Sequence, residues 1–197
     1  DLSEKSIAMA TYNKEVYAPS IDFAYSVADG YKFMSDKPFT HVAVGASLGF
    51  FPDPVKMLDK CISMLEDGGY ILASPFYVTK PIPQSLIKRA QKVFDITPTS
   101  VDYKKIMSLY NKLEVVFEER NDLVKETEEE LDYYCRSTID RACKMLKISD
   151  KKVYNGMYKR LYEIKNMSND LRPYQMYSVL VLRYRKNVYP HRFVELF

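Results

Sequence analysis

Phe39-Thr40-His41-Val42-Ala43-Val44-Gly45-Ala46-Ser47-Leu48-Gly49-Phe50-Phe51-Pro52-Asp53-Pro54 is the stretch on which the fold of this chain turns. From Phe39 to Leu48 it is apolar almost without interruption and rich in valine and alanine, which suits a central strand covered on both faces of a parallel sheet. Asp53 then stands as an N-cap with Pro54 in the first turn, and Val55, Leu58, Ile62 and Leu65 share one face until Asp67-Gly68-Gly69 ends the helix. Tyr70 to Tyr77 reads as the next strand.

The alternation continues on both sides. Upstream, Ser3 or Ser6 can cap a helix running to about Tyr17, Pro19 stops it, and Ile21 to Ala28 alternates like a short strand. Downstream, Pro81 and Pro83 precede a helix from Gln84 to Phe94, Thr97-Pro98 opens another reaching Asn111, and Leu113 to Glu119 reads as a strand. Glu126 to Met167 is helical in period with a break at Ile148 to Lys152, and Met176 to Lys186 returns to strand. Such alternation predicts an α/β fold, with a helical insertion between the last two strands.

Composition narrows the function. With 197 residues, of which 47% are hydrophobic and 28% charged, the chain is expected to form a single domain over 1–197 that buries a real core. A formal charge of +3 with mixed signs gives little of the field of a nucleic-acid binder, which favours small-molecule substrates. Apolar runs fall far short of the ~20 residues of a bilayer span, and the reading is a soluble, cytoplasmic protein without a membrane partner. Cys61, Cys135 and Cys143 fit no zinc spacing and read as reduced thiols, and no metal site is expected.

A parallel sheet gathers ligand groups where its strands end, so those positions carry the chemistry. Asp1-Leu2-Ser3 precedes a helix, where the acid can accept from both hydroxyls of a ribose or simply complement the helix dipole. Ala28-Asp29-Gly30 closes the strand from Ile21; its carboxylate can accept from an exocyclic adenine amine, or the pair can be an ordinary turn. Tyr133, Tyr134, Tyr154, Tyr158, Tyr162, Arg172, Tyr174 and Tyr177 can roof a pocket beside Pro75-Phe76-Tyr77, although Tyr154, Tyr158 and Tyr162 at helical spacing favour packing. Glu126 to Glu130, with Thr127 as cap, suits a solvated first turn, and His41 and His191 read as structural.

The register of strand, loop, Asp53-Pro54 helix start, leucine-bearing helix and Gly68-Gly69 turn, with Asp1 and Asp29 upstream, resembles the class I S-adenosylmethionine-dependent methyltransferases. The resemblance is close from Asp1 to Val78 and looser to the final strand pair. It implies a Rossmann-like sheet, mostly parallel with an antiparallel final strand, and S-adenosyl-L-methionine as cofactor. In its terms Asp1 matches the ribose acid, Leu2 the residue packing on adenine, and Ala28, Asp29 and Gly30 the adenine edge, while Gly45 and Ala46 lie near the methionine moiety. No catalytic residue is carried over. Thr40 stands where the family is often acidic, and Gly49-Phe50 replace a frequent polar or histidine pair.

The Gly-x-Gly-x-Gly loop of that family does not occur, and helical patterning begins almost at Asp1. A preceding segment with a strand, a glycine-rich turn, a helix and a second strand is therefore expected, with weak cofactor binding by these residues alone. An oligomer is expected too, with the strand from Ile21 or from Phe39 near the contact. The segment from Glu126 to Tyr174 is expected to fold as a lid over the face holding Gly45 and Tyr77, with Tyr77 and Arg172 as acceptor contacts. Two other functions compete with methyl transfer to a small molecule. One is a partner-binding domain on the same fold. The other is a nicotinamide-dependent dehydrogenase, against which stands the absence of Tyr-x-x-x-Lys among seventeen tyrosines.

Overall fold

The computed structural model describes residues 1–186, and His191 lies outside the described residues. Ser3 caps the first helix, α1 (Glu4–Tyr17), by accepting from the Ser6 amide, which satisfies one of the orphan donors at its start. After β1 (Phe39–Gly45) and a 3-10 turn at Leu48–Phe50 comes α2 (Pro54–Ser63), whose N-cap Asp53 accepts from the Lys56 amide. The order continues β2 (Leu65–Ala73), β3 (Phe76–Val78), α3 (Gln84–Phe94), α4 (Tyr103–Ser108), β4 (Glu114–Asp122), α5 (Glu128–Leu146), α6 (Lys151–Leu171) and β5 (Gln175–Arg183).

β1 and β2 pair in parallel, while β5 runs antiparallel to β2, β3 and β4. Four strands therefore point one way and β5 alone points back, which is the expected Rossmann-like sheet with an antiparallel final strand. The cause lies in the insertion. α5 starts just past the carboxyl end of β4 under a capping box of Thr127 and Glu130, and α6 returns to the same end, so the next strand must run backwards. β5 lies between β4 on one side and β2 and β3 on the other.

Alternation along β5 decides the core. Ser178, Leu180 and Leu182 are sealed at 0% exposure, facing Ile71 and Ala73 of β2 and covered by Met57, Leu58 and Cys61 of α2 and by Tyr110. Val179, on the opposite face, is 38% exposed. A second cluster of Ile82, Ala90, Met167 and Leu171 fastens α6 to α3. All three cysteines are buried and unbridged. No helix among the described residues is long and apolar enough to cross a membrane.

Several expectations are corrected. Ile21 to Ala28 belongs to no described strand, and its start is turned by the Phe23 amide donating to the Ile21 carbonyl. β1 is an edge strand among the described residues, pairing with β2 only, and Val44 is its one buried residue. α2 ends at Ser63, and Asp67-Gly68-Gly69 lies inside β2, where a step of five from Leu65 to Tyr70 opposes a step of two from Phe39 to His41. Gly68 there has φ +83°, and a Cβ on Gly69 would stand 3.1 Å from the Thr40 carbonyl, so this bulge needs both glycines. Ser74-Pro75 splits the strand expected from Tyr70 to Tyr77 into β2 and β3, and the helix expected from Thr97 begins only after the Asp102 cap.

The face assignment has a direct consequence. Leu180→Ala is expected to cost about 2–5 kcal/mol by leaving a cavity, whereas Val179→Ala costs about 1 kcal/mol or less. Urea denaturation of both variants checks this, and equal losses would invalidate the inward and outward faces assigned to β5.

Candidate functional site

The amino end of the chain closes onto the segment 26–29. The Ala28 amide donates to the Asp1 carbonyl at 2.9 Å, and the Asp1 amino group to the Ser26 carbonyl at 3.3 Å. Two acids twenty-eight positions apart, Asp1 and Asp29, are thereby separated by one backbone hydrogen bond and one residue. Each carboxylate is oriented by its own turn: Asp1 Oδ1 accepts from the Ser3 amide at 2.8 Å and Asp29 Oδ1 from the Tyr31 amide at 3.0 Å. Asp29 Oδ2 is 3.8 Å from the exposed Lys32 ammonium. Leu2 is exposed beside Asp1.

The Asp29 turn docks at the start of α2. A Cβ on Gly30 would stand 3.2 Å from Met57 Cε, so the glycine admits the close approach to α2. Tyr31 packs edge-on against Phe51, and its hydroxyl donates to the Asp53 carbonyl at 3.0 Å and accepts from the Asp53 amide at 3.1 Å. Gly45 has φ +50° at the strand end, and its carbonyl accepts from Ser74, just past β2. Gly30 and Tyr31 thus meet Phe51, Asp53 and Met57, at the far end of the segment that opens with Gly45 and Ala46. Phe50 in that loop is 70% exposed, at the place where a polar pair was the alternative.

Tyr77 and Arg172, the expected acceptor contacts, are both engaged in internal contacts. Tyr77 is 3% exposed; its hydroxyl is 3.3 Å from Ser178 Oγ and its ring meets Tyr103 edge-on. Ser178 in turn donates to Glu118 at 3.0 Å, and Tyr103 donates to the other oxygen at 2.9 Å. Burial acts to raise the Glu118 carboxyl, but donors from Arg120, Tyr103 and Ser178 outweigh it and hold the group below its ordinary value. Arg172 donates to the Val124 carbonyl and stands 3.0 Å from Glu126 Oε2, a charge contact at an angle unsuited to a hydrogen bond. Asn169 completes this clamp: its side chain accepts from the Glu126 amide and donates to the Glu126 carbonyl.

Neither a protein-family model nor a curated protein matches the chain. Solved structures do. The MccD protein superposes with a TM-score of 0.72 at 22% identity, over 94% of this chain and 78% of its own. A SAM-dependent methyltransferase from Geobacter sulfurreducens, in complex with S-adenosyl-L-homocysteine, superposes with 0.62 at 18%, over 94% and 74%. The chain has the class I methyltransferase fold. The cyclase SpnF shares it too, with 0.61 at 13%, over 94% and 64%, so the methyltransferase fold also serves other chemistry.

Within this methyltransferase fold, sequence reading missed Tyr31, Phe51 and Met57, the residues that seat the Asp29 turn. The signal was present, since an aromatic directly follows Asp29-Gly30 and another precedes Pro52, but pairing them needs the tertiary contact. Tyr154, Tyr158 and Tyr162 pack, as their spacing favours. Tyr158 donates to Asp132 and Tyr154 to Asp140 at 2.9 Å, which zips α6 to α5, while Tyr158 stacks on Tyr162 within α6.

The hydrogen bond to Asp132, and burial after it, push the Tyr158 phenol up to about 12. The fold holds the neutral phenol, so the pair's stabilisation is complete below the ordinary value of 10.0 and is lost as pH rises to about 12. Tyr158→Phe should therefore lose stability less steeply than the parent across that window in urea titrations at successive pH values. Identical slopes would remove Tyr158 from the linkage.

Proposed function

We propose that this chain performs S-adenosylmethionine-dependent methyl transfer to a small-molecule acceptor, with Asp1, Leu2, Ala28, Asp29 and Gly30 holding the nucleoside and Gly45 and Ala46 lining the reactive end. The observation that supports the reading is the Ala28 to Asp1 hydrogen bond, which joins the two turns whose amides orient the Asp1 and Asp29 carboxylates. Asp1 presents acceptors suited to two ribose hydroxyls, and Asp29 one suited to an exocyclic amine. The residues present fit the nucleoside half. For the methionine carboxylate the chain offers no Gly-x-Gly-x-Gly turn, so binding by these residues is weak.

When bound, S-adenosylmethionine supplies an electrophilic methyl group on a sulfonium. The chain's own contribution is alignment and exclusion of water, since Leu48, Gly49, Phe50 and Phe51 offer no side-chain acid or base in the loop beside the site. The insertion from Glu126 to Tyr174 acts as the lid. Both its ends lie at the carboxyl end of the parallel strands, and the clamp of Arg172, Asn169 and Glu126 fixes its base. A second reading, a partner-binding domain on the same fold, draws on that apolar loop.

Two outcomes are expected from ligand-observed NMR titration. Asp1→Ala and Asp29→Ala should each weaken S-adenosylhomocysteine binding at least ~10-fold, the value of a hydrogen bond to a charged group. Adenosine should bind within about tenfold of S-adenosylhomocysteine, because the nucleoside contacts dominate. Unchanged affinity in both variants would sink the site assignment. Arg172→Ala should leave nucleoside binding intact while accelerating proteolysis near Val124 to Thr127, and equal protease resistance would remove the clamp.

A further inference from the structure

One tyrosine hydroxyl ties the Asp29 turn to the start of α2. Asp53 is the N-cap of α2, and its own amide lies outside the helix, where a capping box would return an acceptor from the third helical position. That position is Lys56, whose side chain offers only donors. The acceptor comes instead from 22 positions upstream: the Asp53 amide donates to the Tyr31 hydroxyl at 3.1 Å, and the same hydroxyl donates back to the Asp53 carbonyl at 3.0 Å.

Packing by itself does not require this hydroxyl. The Tyr31 ring meets Phe51 edge-on with centroids 5.6 Å apart, and the Lys56 ammonium stands 5.6 Å from its centre, contacts that a phenylalanine ring would also make. The main chain of the same residue serves the other side. The Tyr31 amide donates to Asp29 Oδ1 at 3.0 Å, and the Asp29 carbonyl accepts from the Lys32 and Phe33 amides at 2.9 Å each, which closes the turn around the carboxylate. Tyr31 therefore holds Asp29 through its main chain and Asp53 through its side chain. The loop that ends at Asp53 is fixed at its opening by the Ser74 amide on the Gly45 carbonyl and in its middle by buried Leu48; at its close it is fixed by Tyr31.

We infer that Tyr31 is a positioning residue: its hydroxyl makes the turn carrying Asp29 and the end of the loop after β1 move as one body, so that a nucleoside seated at Asp29 and Gly30 also fixes that loop. The inference rests on the nucleoside reading of Asp29 and Gly30. Every contact of the tie lies within residues 29–56. Linkage makes the coupling reciprocal: a ligand that orders the turn protects the Asp53 amide, and a chain without the hydroxyl binds the ligand less tightly by the same factor.

Amide NMR of the full chain, titrated with adenosine, tests this. In the parent, the Gly30 and Tyr31 amides should shift together with those of Phe51 and Asp53, and saturation should slow exchange of the Asp53 amide about fivefold, the value of one ordinary hydrogen bond. Tyr31→Phe keeps the ring and removes only the two hydrogen bonds. It should retain the Gly30 shift with a dissociation constant raised about fivefold, and lose the response of Phe51 and Asp53. A merely structural tyrosine would lower the urea midpoint and leave the two responses joined in the variant, which overturns the inference, as does an unchanged Asp53 exchange rate in the parent. Adenosine that shifts neither Gly30 nor Tyr31 in the parent removes the nucleoside reading and the inference together, whereas a Gly30 shift without a response at Asp53 removes the inference alone.

Discussion

β5 runs against every strand it touches, and the arrangement of the molecule depends on that strand being held in place. On one edge it bonds to β4 from Glu114 to Asp122; on the other it bonds first to β3 and then to β2. Without it, β4 would lose its described partner and β3 would keep only an isolated bridge to Asp102. Leu180 and Leu182 supply the driving force, since each is sealed between the sheet and the layer of α2 and Tyr110.

The same strand carries the most demanding polar residue of the core. Ser178 is fully buried, and an unpaired hydroxyl there would cost free energy, so it is shared between Tyr77 and Glu118. Glu118 is also held by Arg120 and Tyr103, and the Arg120 guanidinium lies 3.7 Å over the Tyr103 ring. β3, β4, β5 and the start of α4 are thereby locked together close to the carboxyl ends of the strands. A rigid floor of this kind lets the loops above it present ligands in fixed geometry.

Above that floor the described residues divide into two parts. Asp1, Asp29 and Gly30 gather at the loop after β1 through short backbone contacts and one tyrosine hydroxyl, whereas Arg172, Glu126 and Asn169 anchor the insertion several strands away. α1 contributes no buried residue and connects the first part to the extended segment after it. The part bearing the proposed nucleoside contacts is therefore the less packed one, as is common where a ligand shares in the ordering.

What the sequence determined by itself is what local chemistry dictates. Caps at Ser3, Asp53 and Thr127, periodicity in α3, α5 and α6, and the apolar run of β1 placed most elements within a few residues, and the order of strand ends pointed to Asp1 and Asp29. Partners in space were decided by tertiary structure alone. Phe39 to Gly45 reads as a buried strand, but whether an apolar run is central depends on which strands lie beside it, and Ile21 to Ala28 alternates like a strand yet has no described strand beside it. Tyr77 follows the sheet as a pocket residue would. Only the antiparallel entry of β5 turns it inward, because Ser178 and Glu118, more than forty residues further along the chain, arrive beside its hydroxyl and bury it.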